Sequence, residues 1–454
     1  MHNPHLHLLI DDHEIAYRRG LTRFIERPHR IQPGPVLTAD HPWEQTRINL
    51  WGSVYWDDRE DCFRMWYLAD NKGRRNQYEN SLCHATSPDG VAWTRGVYSH
   101  IDHPDGVPNS VVYAERRRPE VRRLGPPTVL LDPLESDPDR RYKLVAFFID
   151  HDHNRGYAVA FSPDGIHWNP APGRVHLPRG DRTCVMQDFQ RGGFAMTTRR
   201  DNALRDRAGG HAFKRDIALS RSDDLLTWKP STVIVDADDD DPTATEFYGM
   251  PFFNWGNQYI GFLEYYDTVH EILNVQLTTS RDGIRWERAV SRQTYFDVGP
   301  SDAWDSTWVA FGMNPPSVRG NEMLLWYSGR PMAHRHPRVP RGSIGIARAP
   351  RDRFAGLRAG PDGGELTTEW IQVGGPSLLL NIGAANGPVS VAVTGDDANP
   401  IPGFSHSDCD AQISNGVDVP VTWNGQNLQP LLGQRVRLHI KITYATLYAY
   451  RFAT

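Results

Sequence analysis

The chain has 454 residues, and its 50 Lys and Arg against 55 Asp and Glu give a formal net charge of -5. No basic block is dense enough to neutralise a phosphate backbone, and no apolar run approaches the roughly 18 residues of a membrane helix, so neither nucleic acid nor a membrane is an expected partner. The 39 Gly and 34 Pro accompany 14 Trp, 17 Tyr and 17 Phe, a balance that suits short strands joined by tight turns and predicts an all-β protein.

The length exceeds what one core organises, so a large domain plus a smaller one is expected. The N-terminal "LHLLI" is too short for the core of a signal peptide. Cys62, Cys83, Cys184 and Cys409 show no metal-binding spacing and are too few to staple a fold of this size. Free thiols in a cytoplasmic protein are the expectation, and a removed signal peptide would instead make the protein secreted or periplasmic.

In chain order, residues 1–45 match no repeat and are expected to wrap across the domain that follows. From there a motif recurs: "SPDGVAW" from Ser87, "SPDGIHW" from Ser162, "SDDLLTW" from Ser222 and "SRDGIRW" from Ser280, with a degenerate "APRDRF" at 349–354. Each pairs a turn that favours positive φ with a tryptophan that anchors the return strand. Five strand-like runs, "CFRMWYLAD", "RYKLVAFFI", "GFAMTTRR", "QYIGFLEYY" and "MLLWYSGR", agree on the count. The pattern predicts a five-bladed β-propeller over 46–365, with blades starting near residues 48, 126, 181, 245 and 305. After residue 366 short alternating strands without the blade motif predict a C-terminal β-sandwich over 366–454.

Blade register separates turn residues from candidate chemistry. Asp188 lies six residues before Phe194, the first residue of its second strand, as Asp57 lies six before Phe63; both read as turn formers. Asp181 and Glu246 each lie 13 before their reference residues, Phe194 and Tyr259, which puts a carboxylate at the mouth end of two consecutive inner strands. Among Phe247, Tyr248 and Phe252, Glu246 is expected in an apolar setting that raises its pKa toward that of a general acid. Two carboxylates across a pocket are the minimum apparatus for cleaving a glycoside. Tryptophans, Trp51 and Trp304 among them, are candidate stacking faces for a sugar, although most propeller tryptophans are core.

The chain resembles the five-bladed propeller glycosidases of families 32, 43 and 68, and most closely family 32-like proteins. The resemblance rests on "LLIDDHEI", "WGSVYWDDREDCFRMWY", "GDRT", "TEF", "AWDSTWV", "LLWYSGR" and the terminal "GQRVRLHIKITYATLYAYRF". It implies Glu246 as acid/base and Asp181 as the aspartate that stabilises the transition state. The family's nucleophilic aspartate belongs at the first inner strand, where this chain reads "RINLWGS", with Asn49 and no carboxylate. Asp12, with Asp11 and His13 beside it, either folds over the mouth to supply the missing group or forms an N-terminal turn; Glu44 is a weaker substitute.

Asp305 either binds sugar hydroxyls or makes a structural bond, and Arg182 either holds an aspartate ionised or is a solvated strand residue. The run from Asp236 to Asp241 lacks the ligand pattern of a calcium loop and reads as solvated acidic loop, with a structural calcium the alternative; no other cofactor or metal is expected. The leading expectation is an exo-acting glycoside hydrolase on a furanoside such as a fructosyl or arabinosyl unit. A non-catalytic carbohydrate-binding propeller is the first rival. A transglycosidase or a phosphorylase, the latter with Arg182, Arg330 and His334 holding phosphate, is the second. Oligomeric state is left open.

Overall fold

The structure is a computed structural model that describes residues 3–44, 47–70, 80–102, 108–114, 121–172, 180–205, 211–334, 336, 341–384, 386–396 and 399–453. The repeated turn closes in the same way in the four copies that begin with serine. Ser87 Oγ accepts the Gly90 N–H at 2.8 Å, and Asp89 Oδ1 accepts the N–H groups of Val91 and Ala92 at 2.8 Å each. Ser162 with Asp164, Ser222 with Asp224 and Ser280 with Asp282 do the same. The turn needs a left-handed residue, which Gly90 supplies at φ +81°; Leu225 fills that place in the third copy at φ +69°.

These turns also join blades. Gly90 O accepts the indole N–H of Trp326, from the last blade, at 2.8 Å, and Gly165 O accepts that of Trp66, from the first, at 2.7 Å. The tryptophans sit on second strands, which read as nearly unbroken apolar runs because adjacent blades cover both of their faces. Met65 through Ala69 are all fully buried.

Five blades result. Blade 1 holds Ile48–Asp57, Cys62–Ala69, Ser81–Ser87 and Val111–Ala114; blade 2 holds Val121–Leu131, Tyr142–Asp150, Arg155–Ser162 and Asn169–Pro170. Blade 3 holds Thr183–Gln187, Phe194–Arg205, His211–Ser222 and Thr232–Val235. Blade 4 has a divided inner strand, Thr245–Phe247 and Phe252–Trp255, then Gln258–Asp267, Ile272–Ser280 and Thr294–Phe296. Blade 5 holds Trp308–Phe311, Glu322–Arg330 and Ser343–Pro350, and its outer edge is completed from the chain's beginning by His29–Arg30 and Leu37–Thr38.

The β-sandwich draws on both ends of the chain. One sheet runs Leu21–Ile25, Ala355–Ala359, Thr446–Ala453, Ser377–Gly383, Asn415–Val421, with Leu6–Leu8 also on Thr446–Ala453. The other joins Ile15–Arg19, Gly364–Thr368 and Arg435–Ile442, with Ile371–Gln372 and Val389–Thr394 beside the last. The expected division at residue 45 falls outside the described residues, and that at 366 falls within a sandwich strand. Among its described residues the N-terminal segment, expected to wrap the propeller, pairs with propeller strands at His29–Arg30 and Leu37–Thr38 and packs Leu6, Leu8, Ile10 and Ile25 against blade 4, while its strands at 6–8, 15–19 and 21–25 cap sandwich edges that would otherwise present unpaired backbone.

The turn aspartates form a second set of joints. Asp57 accepts the Tyr142 hydroxyl of blade 2 at 2.8 Å and Arg64 Nη1 at 3.2 Å; Asp188 accepts the Tyr259 hydroxyl of blade 4 at 2.7 Å and pairs with Arg221. Burial pulls the Asp57 carboxyl upward, but the bonds from Tyr142, the Arg59 backbone and Arg64 outweigh it and bring its pKa down to about 2. A depressed carboxyl stabilises the fold above its unfolded value and loses that contribution as pH falls from about 4 toward 2. Asp57→Asn is therefore expected to cost about 2 kcal/mol at pH 7 and to flatten the acid limb of the stability profile between those pH values. Unchanged unfolding at pH 7 would remove Asp57 from the joint.

Candidate active site

One rung of strand pairing crosses the mouth of blades 4 and 5. Glu246 opposes Tyr266, Tyr266 opposes Leu273, Leu273 pairs with Trp308, and Trp308 opposes Arg330. Glu246 sits in Thr245–Phe247 and Asp181 just before Thr183–Gln187, each at the start of its blade's inner strand.

Both carboxylates are held by arginines that share one aromatic ring. Arg215 Nη1 lies 2.5 Å from Glu246 Oε2, and Arg199 Nη2 lies 2.7 Å from Asp181 Oδ1. The two guanidinium carbons stand 5.4 and 4.8 Å from the Tyr248 ring centroid. Tyr248 meets Trp308 edge-on at 4.6 Å, and His334 stacks on Trp308 at 5.2 Å. Asp181 retains 32% side-chain exposure and Glu246 11%, so both are within reach of a ligand entering from the mouth. The apolar setting expected for Glu246 is corrected by Arg215, which reaches it from the neighbouring blade.

Next to this pair the axis carries buried charge. Arg182 Nε lies 3.0 Å from both Glu264 carboxylate oxygens, and Arg182 Nη2 donates to Phe311 O at 3.2 Å. A Cβ on Gly249 would come 2.3 Å from Arg182 Cγ and 2.6 Å from Glu264 Oε2, so only glycine fits beside the pair. Arg47 pairs with Asp70, also buried. Arg330 donates from Nη2 to Asn49 Oδ1 at 2.9 Å, and its guanidinium carbon lies 4.6 Å from the Trp308 ring and 5.4 Å from that of Trp51. Burial, and then the neighbouring Arg47, push the Arg330 pKa down.

Of the residues selected from sequence, Asp181, Arg182, Glu246, Trp51 and Arg330 thus gather at the axis, Arg182 as a buried ion-pair partner and not a solvated residue. Others lie elsewhere. Asp12 pairs with Arg18 and Arg23, and Asp11 pairs with Arg281 and accepts the His13 N–H. Arg281 is eight residues along from Leu273 on the mouth rung, roughly 25 Å at about 3.3 Å per residue. Asp11, Asp12 and His13 therefore sit at the far end of blade 4, drawn there by the sandwich strands that carry Arg18 and Arg23.

Asp305 is corrected likewise: its carboxylate accepts Arg30 Nε at 2.8 Å and the Tyr327 hydroxyl at 3.0 Å. Trp304 stacks on Tyr327 at 5.6 Å and donates to Pro33 O at 3.1 Å. Tyr327 faces blade 4, whereas Arg330 and Ser328 face blade 1, so Asp305 and Trp304 fasten the N-terminal segment to blade 5 on its blade-4 face. Glu44 is spent on the Tyr67 hydroxyl and Arg95. In the acidic run, Asp238 and Asp241 pair with Arg292 and Arg288.

Sequence reading missed Arg199, Arg215, Glu264, Arg47 and Asp70. Glu264 alone left a trace, an acid inside the apolar run "IGFLEYY". Arg199 and Arg215 lie on the second and third strands of blade 3, where spacing carries no mark of which end faces the mouth, and Arg47 precedes the first inner strand.

No protein-family model and no curated protein sequence matches the chain. Among solved structures it is similar to one described as a glycoside hydrolase, at 12% identity and TM-score 0.52, over 71% of this chain and 92% of that one. It is also similar to BT0996 in an RGII complex, at 12% identity and TM-score 0.51, over 72% and 92%. A thermostable family-43 glycoside hydrolase is similar at 12% identity and TM-score 0.48, over 70% and 92%. At such identity the likeness is one of fold.

Removing the acid from the buried pair tests its weight. Glu264→Gln leaves Arg182 without a counter-charge and is expected to cost about 3–5 kcal/mol in equilibrium unfolding. A loss below about 1 kcal/mol would show that the pair does not organise the axis.

Proposed function

We propose that the chain is an exo-acting glycoside hydrolase in which Glu246 is the acid/base and Asp181 its carboxylate partner. The observation that carries this reading is the delivery of two carboxylates by consecutive blades to one mouth, each clamped by an arginine beside Tyr248. Such a pair suits an oxocarbenium-like transition state: one group protonates the leaving oxygen, and the other stabilises the developing positive charge or activates water. In the free protein Glu246 faces Arg215. A sugar entering the mouth would meet both side chains. A furanoside, such as a fructosyl or arabinosyl unit, is the substrate that the resemblance of the chain's short motifs to the family-32 propellers implies.

Asn49 gives a second reading its support. With an amide where the family-32 pattern places a nucleophilic carboxylate, the chain lacks the full retaining set, as a non-catalytic sugar-binding propeller also would.

A panel of aryl glycofuranosides and small oligosaccharides separates the two. In the enzyme, Glu246→Gln lowers kcat by about 10²–10⁴-fold with the fold intact, and Asp181→Asn also lowers kcat. Asp188→Asn, at the interblade joint, lowers the melting temperature and spares turnover of the folded fraction. Binding of sugars with no cleavage of any member of the panel would establish the sugar-binding protein instead.

A further inference from the structure

The charges at the axis do not close. Arg47 is matched by Asp70, Arg182 by Glu264, Arg199 by Asp181 and Arg215 by Glu246. Arg330 is fully buried and makes no ion pair among the described residues; the acid whose field reaches it, Asp70, is already paired with Arg47. Its neighbourhood also holds hydrogen-bond donors that find no acceptor among the described residues: Arg330 Nε and Nη1, Arg182 Nη1, Asn49 Nδ2, Trp51 Nε1 and Trp308 Nε1. These residues are mutual neighbours, with the guanidinium carbons of Arg330 and Arg182 standing 5.4 and 5.7 Å from the Trp51 ring.

All six atoms are donors. A buried donor without a partner costs about 1–3 kcal/mol, and a buried charge without a counter-charge costs more. Stacking on Trp308 and Trp51 offsets part of this through the ring faces, yet it leaves the N–H edges of the guanidinium unspent. A group that satisfies this set has to bring acceptors and negative charge together.

We infer that Arg330, Asn49, Trp51 and Arg182 form a binding site for an oxyanion, the phosphate or carboxylate group of a ligand, beside the Asp181–Glu246 pair. The inference deepens the glycoside reading by naming an anionic ligand class, and it rests on that reading only for the sugar to which the anion belongs or with which it reacts. Free inorganic phosphate and the carboxylate of a uronic acid share the chemistry that these donors select.

The test reads binding without turnover, by calorimetry and thermal shift of the full chain with inorganic phosphate, with glucuronate and with neutral glucose. Phosphate or glucuronate, and not glucose, is expected to raise the melting temperature in a concentration-dependent way. A response to phosphate alone assigns a free phosphate site, and one to glucuronate assigns a sugar-acid site. Asn49→Asp gives Arg330 an internal counter-charge: it is expected to raise the melting temperature of the ligand-free protein and to weaken anion binding at least tenfold. Arg330→Gln should lose the binding as well, and serves if Asn49→Asp fails to fold.

Neither anion binding, or binding undiminished in both variants, overturns the site. Anion binding with no glycoside cleaved removes the hydrolase and leaves the site. Cleavage of neutral furanosides with no anion binding does the reverse.

Discussion

A blade's second strand is covered on both faces by its neighbours, so every polar group it carries has to be met by other protein groups, several of them on the next blade. This constraint shapes the fold. The indoles of Trp66 and Trp326 are satisfied by carbonyls of turn glycines on adjoining blades, and the hydroxyls of Tyr142 and Tyr259 by turn aspartates. The Ser-Asp-Gly turn, which looks like a local hairpin device, is thus half of a joint between blades. A tryptophan or tyrosine buried in this way keeps its large apolar area while its single polar atom costs nothing. The same carbonyl and carboxylate partners fix the spacing of the blades, and with it the width of the mouth at which Asp181 and Glu246 arrive.

Toward the axis the same constraint acts on charge. Arginines there come from inner, second and third strands, and each is buried deeply enough that an unmatched charge would be costly. Carboxylates answer four of them across blade boundaries or within a blade. Arg182 with Glu264 links blades 3 and 4, as Arg215 with Glu246 does. The catalytic candidates are therefore members of an ion-pair lattice before they are acid and base, and the glycine at 249 is the backbone's concession to it.

This division explains what could be read from the amino-acid order. Blade starts were legible because turn chemistry is local: Ser, Asp and Gly act within four residues of one another, and the inner strands begin at Ile48, Thr183, Thr245 and Trp308, near the expected places. Asp181 and Glu246 were legible through register, since both lie a fixed distance from a second strand. The partners of those carboxylates were not, because Arg199 and Arg215 reach them through strand pairing and blade packing that no spacing records. Asp11, Asp12 and Asp305 misled for a related reason. Each sits in a motif that resembles a mouth loop, while the N-terminal arginines Arg18, Arg23 and Arg30 bind Asp12 and Asp305, and Arg281 of blade 4 binds Asp11.

Asn49 ties the two unusual features of the axis together. A carboxylate at this position would have neutralised Arg330, whose Nη2 already donates to the Asn49 side-chain oxygen at 2.9 Å. Replacing an acid with its amide keeps that bond and removes only the charge, at a position where the low dielectric makes charge count most. The amide at position 49 and the arginine without an ion-pair partner among the described residues are then one fact seen from two sides. A propeller with an amide where an internal anion would neutralise Arg330 is arranged to accept an anion from outside, and the residue that decides this is a single amide on the first inner strand.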